Sequence, residues 1–100
     1  MAAVTDEQIE RVRSLVAAIP VGRVSTYGDI ASAAGLSSPR IVGWIMRTDS
    51  ADLPWHRVIT ASGRPAAHLT TRQLELLRAE GVFSVDGRIA LSEVRHEFGN

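Results

Sequence analysis

Hydrophobic positions along the chain form helical stripes separated by turn signals, and end in a short alternating hairpin pattern. Ile9, Val12, Leu15, Val16 and Ile19 recur at helical spacing and define one buried face. Thr5-Asp6-Glu7-Gln8 just ahead of them has the form of a capping box, in which hydroxyl and amide side chains answer the first unpaired N–H groups. Pro20 and Gly22 stop this helix near Ala18. Arg23-Val24-Ser25 reads as an extended connector.

A second helix is expected from about Tyr27 to Ala34, ended by Gly35. Ser37 or Ser38 caps a third, with Pro39 where the first helical residue loses nothing by lacking an N–H. It runs to about Thr48. Two short helices joined by Gly35-Leu36-Ser37 have the dimensions of a helix-turn-helix. From Leu53-Pro54 to about Leu69 the pattern is irregular, with Val58-Ile59 as a brief strand. Thr70-Thr71-Arg72-Gln73 reads as another capping box, opening a helix that carries Leu74, Leu76 and Leu77 to Gly81. Val82 to Val85 and Arg88 to Leu91 flank Asp86-Gly87, a hairpin signal. The tail after Glu93 shows no determined pattern. The fold class expected is α+β, mostly helical: a winged helix-turn-helix forming a single domain over residues 1–100.

Composition narrows the chemistry. With 100 residues, one modest core is all the chain supports. It has no cysteine, which removes disulfides, thiolate metal sites and any thiol nucleophile. His56, His68 and His96 lack metal-ligand spacing, so neither a metal site nor a cofactor is expected. No apolar run is long enough to span a bilayer and no secretory signal opens the chain, so a cytoplasmic location is expected.

Net charge is zero and all eleven basic residues are arginine. Their distribution is uneven. Between Ser37 and Arg72 lie Arg40, Arg47, Arg57, Arg64 and Arg72 against only Asp49 and Asp52. That segment is basic and the flanks are acidic. On the third helix Arg40, Gly43 and Arg47 lie at i, i+3 and i+7, one stripe, while Ile41 and Ile45 form a separate apolar stripe. Two arginines around a glycine suit the close approach of a nucleic-acid strand. The same spacing also fits a solvated arginine face with a packing glycine. Pro54-Trp55-His56-Arg57-Val58, taken alone, fits a buried tryptophan with a satisfied histidine. Glu80, at the end of the fourth helix, is a partner for His56 or an arginine, or a surface carboxylate.

Four segments in order carry a family resemblance. Ile19 to Ala31 (IPVGRVSTYGDIA) resembles the opening motif of the O6-alkylguanine-DNA alkyltransferase C-terminal domain. Arg40-Ile41-Val42-Gly43 is similar to its recognition-helix motif. Pro54-Trp55-His56-Arg57-Val58 resembles the active-site motif Pro-Cys-His-Arg-Val with tryptophan at the acceptor position. Leu76 to Gly81 (LLRAEG) resembles the motif closing the next helix. The tryptophan version is similar to that of the alkyltransferase-like proteins. These bind O6-alkylguanine in DNA without repairing it and hand the lesion to nucleotide excision repair.

The resemblance implies a winged helix-turn-helix that enters the minor groove and flips a base into a pocket. Tyr27 then matches the tyrosine that rotates the target's 3′ phosphate. Arg40 matches the arginine finger that fills the gap in the stack. Gly43, Arg47, Ser38 and Thr26 complete the DNA-binding set. The lesion pocket comprises Tyr27, Trp55, His56, Val58 (through a backbone carbonyl), Arg64 and His68. His56 and Glu80, with Asp49 at the family's asparagine hinge, remain from the relay that activates the thiol. Tryptophan offers only an indole N–H donor, so no catalytic residue and no alkyl transfer are expected. The implied partners are double-stranded DNA containing O6-alkylguanine and nucleotide excision repair proteins, with no membrane. The protein is expected to be a monomer, nucleoid-associated when bound to DNA.

The sequence departs from the family pattern in places. The linker from Asp49 to Trp55 is short by about two residues by comparison with the family motif spacing, and the segment after Ser62-Gly63 is also short. The gapless counterpart of the pocket arginine is His68 or Leu69, with Arg64 as another source of the cation. Two other readings remain: a winged-helix transcription factor that reads undamaged DNA, and an enzyme that uses Glu80 and His56.

Overall fold

The apolar stripe of the first helix becomes the centre of the main core. In the computed structural model, which describes residues 4–99, α1 (Asp6–Ala17) buries Val12 and Val16. Its capping box forms as expected. Gln8 N donates to Thr5 Oγ1 at 3.1 Å and Thr5 N donates to Gln8 Oε1 at 2.9 Å. The single-domain expectation extends to residues 1–3 and 100, which lie outside the described residues.

α2 (Tyr27–Ala34) ends on Gly35 in the left-handed region at φ 72°. α3 (Pro39–Thr48) is capped by Ser38 rather than Ser37, with Arg40 N donating to Ser38 Oγ at 3.1 Å. Val12, Val16, Ile19, Ile30, Val42 and Ile45 pack the three helices into one cluster. Ile41, expected to share the apolar stripe with Ile45, is only partly buried, and Val42 takes the buried place.

The connector after α1 does more than extend. β1 (Ser25–Thr26) pairs in parallel with β2 (Val58–Ile59), Ser25 opposite Val58 and Thr26 opposite Ile59. A parallel pair needs a crossover, which α2 and α3 supply. A single 3₁₀ turn, Trp55–Arg57, leads into β2. The pairing therefore fixes that turn beside the start of α2.

α4 (Thr70–Ala79) follows a second 3₁₀ turn, Ala67–Leu69. The second capping box is overturned. The N-cap is Leu69, with no side-chain cap bond, and Gln73 is 1% exposed with its amide turned to the chain behind it. The hairpin forms as β3 (Ser84–Val85) against β4 (Arg88–Ile89), antiparallel. Asp86 and Gly87 both have positive φ, 54° and 76°, as a tight turn matching strand twist requires. A second cluster of Val24, Ile59, Leu77, Val82 and Ile89 holds this wing to α4 and to β2.

The tail is determined after all. α5 (Leu91–Val94) is one turn, and Val24 N donates to Val94 O while His96 N donates to Val24 O. Arg95 closes a two-point ion pair on Asp29, at 2.7 and 2.8 Å. Phe98 packs on the main core. These partners are distant in sequence, so no local pattern announces them.

Candidate nucleic-acid interface

A cleft of about 1060 Å³ opens between α3, the start of α2 and the turn before β2. Small-molecule pockets run to roughly 1,000 Å³, so this is an open groove with room for more than one planar group. Tyr27, Arg40, Gly43, Arg47, Asp49, Trp55 and His68 all line it. The sequence places these residues far apart, and the β1–β2 pairing brings them together.

α3 presents its arginines outward because its opposite face is bound into the core. Val42 and Ile45 are fully buried. Arg40 and Arg47 are exposed and, among the described residues, neither has an ion-pair partner. A Cβ built at Gly43 would meet only Arg47 Nη1 at 3.6 Å, an ordinary contact. Nothing inside the fold therefore demands glycine there, which leaves close approach from outside as its use. Burial pushes the Tyr27 phenol up from its ordinary value, with the Arg47 charge pulling the other way. The hydroxyl thus remains a protonated donor at neutral pH.

The carboxylates at the cleft rim are partnered from behind. Arg13 on α1 donates to Asp49 Oδ1 at 3.2 Å, to Asp49 O at 2.7 Å, and to Asp52 at both oxygens. That pairing raises the Arg13 value and lowers Asp52. It leaves Arg40 and Arg47 to set the sign of the groove. Asp49, expected beside His56 and Glu80, belongs to Arg13 instead.

The rest of the expected relay is present, but turned away from the cleft lining. His56 Nε2 lies 2.7 Å from Glu80 Oε2, and Arg57 holds both Glu80 oxygens at 2.8 and 2.9 Å. Arg57 Nη1 also donates to Ile19 O at 2.8 Å. The Arg57 guanidinium, followed by His56, holds the Glu80 carboxyl down at about 2. Glu80 is therefore a fixed anion that anchors the turn. The sequence singled out His56 and Glu80; that Arg57 is the centre of the cluster emerges only from the geometry.

Gln73 is the other anchor. Its Nε2 donates to His56 O at 2.9 Å and Val58 O at 2.7 Å, while its Oε1 has no hydrogen-bond partner among the described residues. Two carbonyls facing one nitrogen fix the amide orientation. The turn carrying Trp55 is thus held by Gln73 through its backbone and by Glu80 through its side chains. The signal for it in the sequence is a polar residue four positions before the buried Leu77 on one helix face, at a place that also carries the letters of a capping box.

Besides His56, four expected site residues lie outside the cleft lining. Val58 is 1% exposed and its carbonyl is taken by Gln73, not free to face a base. Thr26 is 2% exposed and caps α2, accepting from Asp29 N at 3.0 Å. Ser38 is used as the α3 cap. Arg64 points to the hairpin, donating to Asp86 O at 3.3 Å, whereas both other counterparts of the pocket arginine, His68 and Leu69, line the cleft. For Thr26, Ser38 and Arg64 the reason is shared, since backbone groups at helix ends and a turn claimed them first; Val58 is instead held by a buried side-chain amide.

A helix-turn-helix with a wing, an arginine-lined groove beside its third helix and a tryptophan in the groove wall define a class of DNA-binding domain. The profile described as "6-O-methylguanine DNA methyltransferase, DNA binding domain" matches residues 7–82. The chain is 42% identical over 99 residues to a DNA base-flipping protein of Escherichia coli K12, covering 89% of this chain and 74% of that one. It is 40% identical over 84 residues to alkyltransferase-like protein 1 of Schizosaccharomyces pombe, covering 77% and 78%. The crystal structure of S. pombe Atl1 in complex with damaged DNA containing O6-carboxymethylguanine superposes with a TM-score of 0.81 at 33% identity, covering 94% of this chain and 98% of that one. The chain belongs to the 6-O-methylguanine DNA methyltransferase DNA-binding-domain family, as an alkyltransferase-like member of it.

Proposed function

We propose that this protein binds O6-alkylguanine in duplex DNA by flipping the nucleotide into the cleft, leaves the alkyl group in place, and marks the site for nucleotide excision repair. One observation carries the reading. Trp55 forms the cleft wall at the position where alkyl transfer requires a thiol, in a chain with no cysteine. The relatives' names and the Atl1 complex with damaged DNA support the ligand.

The geometry fits the steps of flipping. Arg40, unpaired at the first turn of α3, is placed to enter the base stack. Tyr27 at the start of α2 is placed to hold a phosphate through its protonated hydroxyl. The extruded base then lies against the Trp55 ring, with His68 opposite the arginine stripe. Unstacking costs a few kcal/mol and less for a damaged base, which favours lesions over intact guanine. The His56–Glu80–Arg57 cluster, without a nucleophile in front of it, serves to hold the turn.

The test is a competition titration between two short duplexes identical except for one O6-methylguanine, with the DNA recovered and its nucleosides analysed afterwards. Preference for the lesion with the methyl group still on guanine is expected. Equal affinity would remove the reading and favour a winged-helix protein of undamaged DNA; loss of the methyl group would make the protein an enzyme.

A further inference from the structure

We propose that Trp44 is a backbone-gripping contact of α3, which packs its indole on the deoxyribose edge of duplex DNA beside the phosphate that Arg47 neutralises. The inference rests on the reading that the ligand is DNA. Trp44 is outside the cleft lining and has no role in the flipping steps.

Few large apolar side chains of this protein stay exposed, and Trp44, at 44%, is the one aromatic among them on α3. The exposed Phe83 is covered in part by Arg78, whose guanidinium carbon lies 5.9 Å from the ring centre. Trp44 has no ring or cation contact of this kind among the described residues. Its placement around the helix is informative. It is four residues after Arg40 and three before Arg47, and at about 100° per residue Arg40 falls between Gly43 and Trp44 around the circumference. The face therefore runs glycine, two unpaired arginines, then an open indole. Thr48, one turn on, has its hydroxyl bound to Trp44 O at 2.8 Å, so it does not compete for a ligand there.

Along the helix axis Trp44 lies one turn before the free guanidinium of Arg47, and an apolar ring next to a cation suits a nucleic-acid backbone, which sets apolar sugar C–H next to anionic phosphate. Tryptophan joins an apolar body to a polar N–H and is enriched where a partner covers it, which suits an exposed indole beside the Arg47 cation. Because Trp44 stands off the cleft, its contact is made to damaged and intact duplex alike. Discrimination stays with Trp55 and Arg40, and general grip with Trp44 and Arg47.

The experiment measures affinities of Trp44→Ala and Trp44→Phe for a lesion duplex and its undamaged twin across a salt series. Trp44→Ala is expected to weaken both by the same factor, roughly tenfold, the scale of one aromatic contact to nucleic acid. Its salt slope should be unchanged because no charge is removed, whereas Arg47→Ala should reduce the slope by about one. Trp44→Phe should recover part of the loss. The chain has two tryptophans, so Trp55→Phe leaves Trp44 as the sole tryptophan, and its selectively excited emission should shift on adding undamaged duplex. Wild-type affinity in Trp44→Ala, an unshifted emission at saturating duplex, or a loss confined to the lesion duplex overturns the proposal. If wild type shows no lesion preference while Trp44 emission shifts, the sensor reading fails and this contact survives.

Discussion

At the residue scale, the protein turns on side chains whose local chemistry is simple and whose placement is specific. Arg40 is an unpaired guanidinium at the start of a helix whose other face is locked in the core. Arg40→Ala is expected to weaken binding to lesion DNA by about 1–3 kcal/mol, the range for a base-level contact; a titration showing wild-type affinity removes its role as a stacking finger. Trp55→Cys restores a thiol at the acceptor position, and His56 and Glu80 are still in hydrogen-bond contact behind it. Even so, little or no transfer is expected. His56 is outside the cleft lining, and the short linker from Asp49 is tied down by Arg13. Incubation with radiolabelled methylated DNA checks this, and stoichiometric label on the protein would show that the relay still works.

At the element scale, the 3₁₀ turn Trp55–Arg57 is the piece on which the site depends, and α4 holds it. Gln73→Leu keeps the volume but leaves the His56 and Val58 carbonyls without their donor. Unpaired buried acceptors cost about 1–3 kcal/mol each set, so urea unfolding should shift by that order. Lesion affinity should fall with it, because the Trp55 ring loses its fixed orientation. Normal stability in the variant would mean that water replaces the amide and that the Glu80 cluster alone holds the turn. Much of this element scale is legible in the sequence: the first capping box, the glycine end of α2, Pro39 at the head of α3 and the Asp-Gly turn. Each is decided by neighbours within a few residues. The second capping box was misread for the same reason. Thr70 to Gln73 has the right letters, but a long-range need for a donor behind β2 outcompeted the local cap.

At the whole-molecule scale, charge pairing between distant segments sets the acid limit. Glu80 titrates at about 2 when folded, below its ordinary carboxylate value near 4.5, because Arg57 and then His56 favour the anion. Asp29 is likewise lowered, chiefly by Arg95. A depressed folded value contributes stability that is present above the unfolded value and is lost as pH falls through the folded one. Stability should therefore hold from neutral pH to the ordinary carboxylate range and decline from there toward pH 2. Thermal unfolding against pH checks this, and Glu80→Gln should flatten the decline. An unchanged acid profile in that variant would place the acid sensitivity in other carboxylates, with Asp29 the next to examine.

What the sequence by itself determined is the first four helices, the hairpin, the helix-turn-helix dimensions, the family resemblance and the absence of a thiol. These follow from short-range periodicity, turn chemistry and the inventory of side chains. Only the tertiary structure decided which residues share the cleft. The parallel pairing of Ser25–Thr26 with Val58–Ile59, the transfer of Asp49 to Arg13, the turning of Arg64 to the wing and the docking of the tail on Val24 all join residues far apart in the chain. Such contacts are chosen by competition among many possible partners for the same exposed backbone and charged groups. The outcome depends on distances that exist only once the chain is folded.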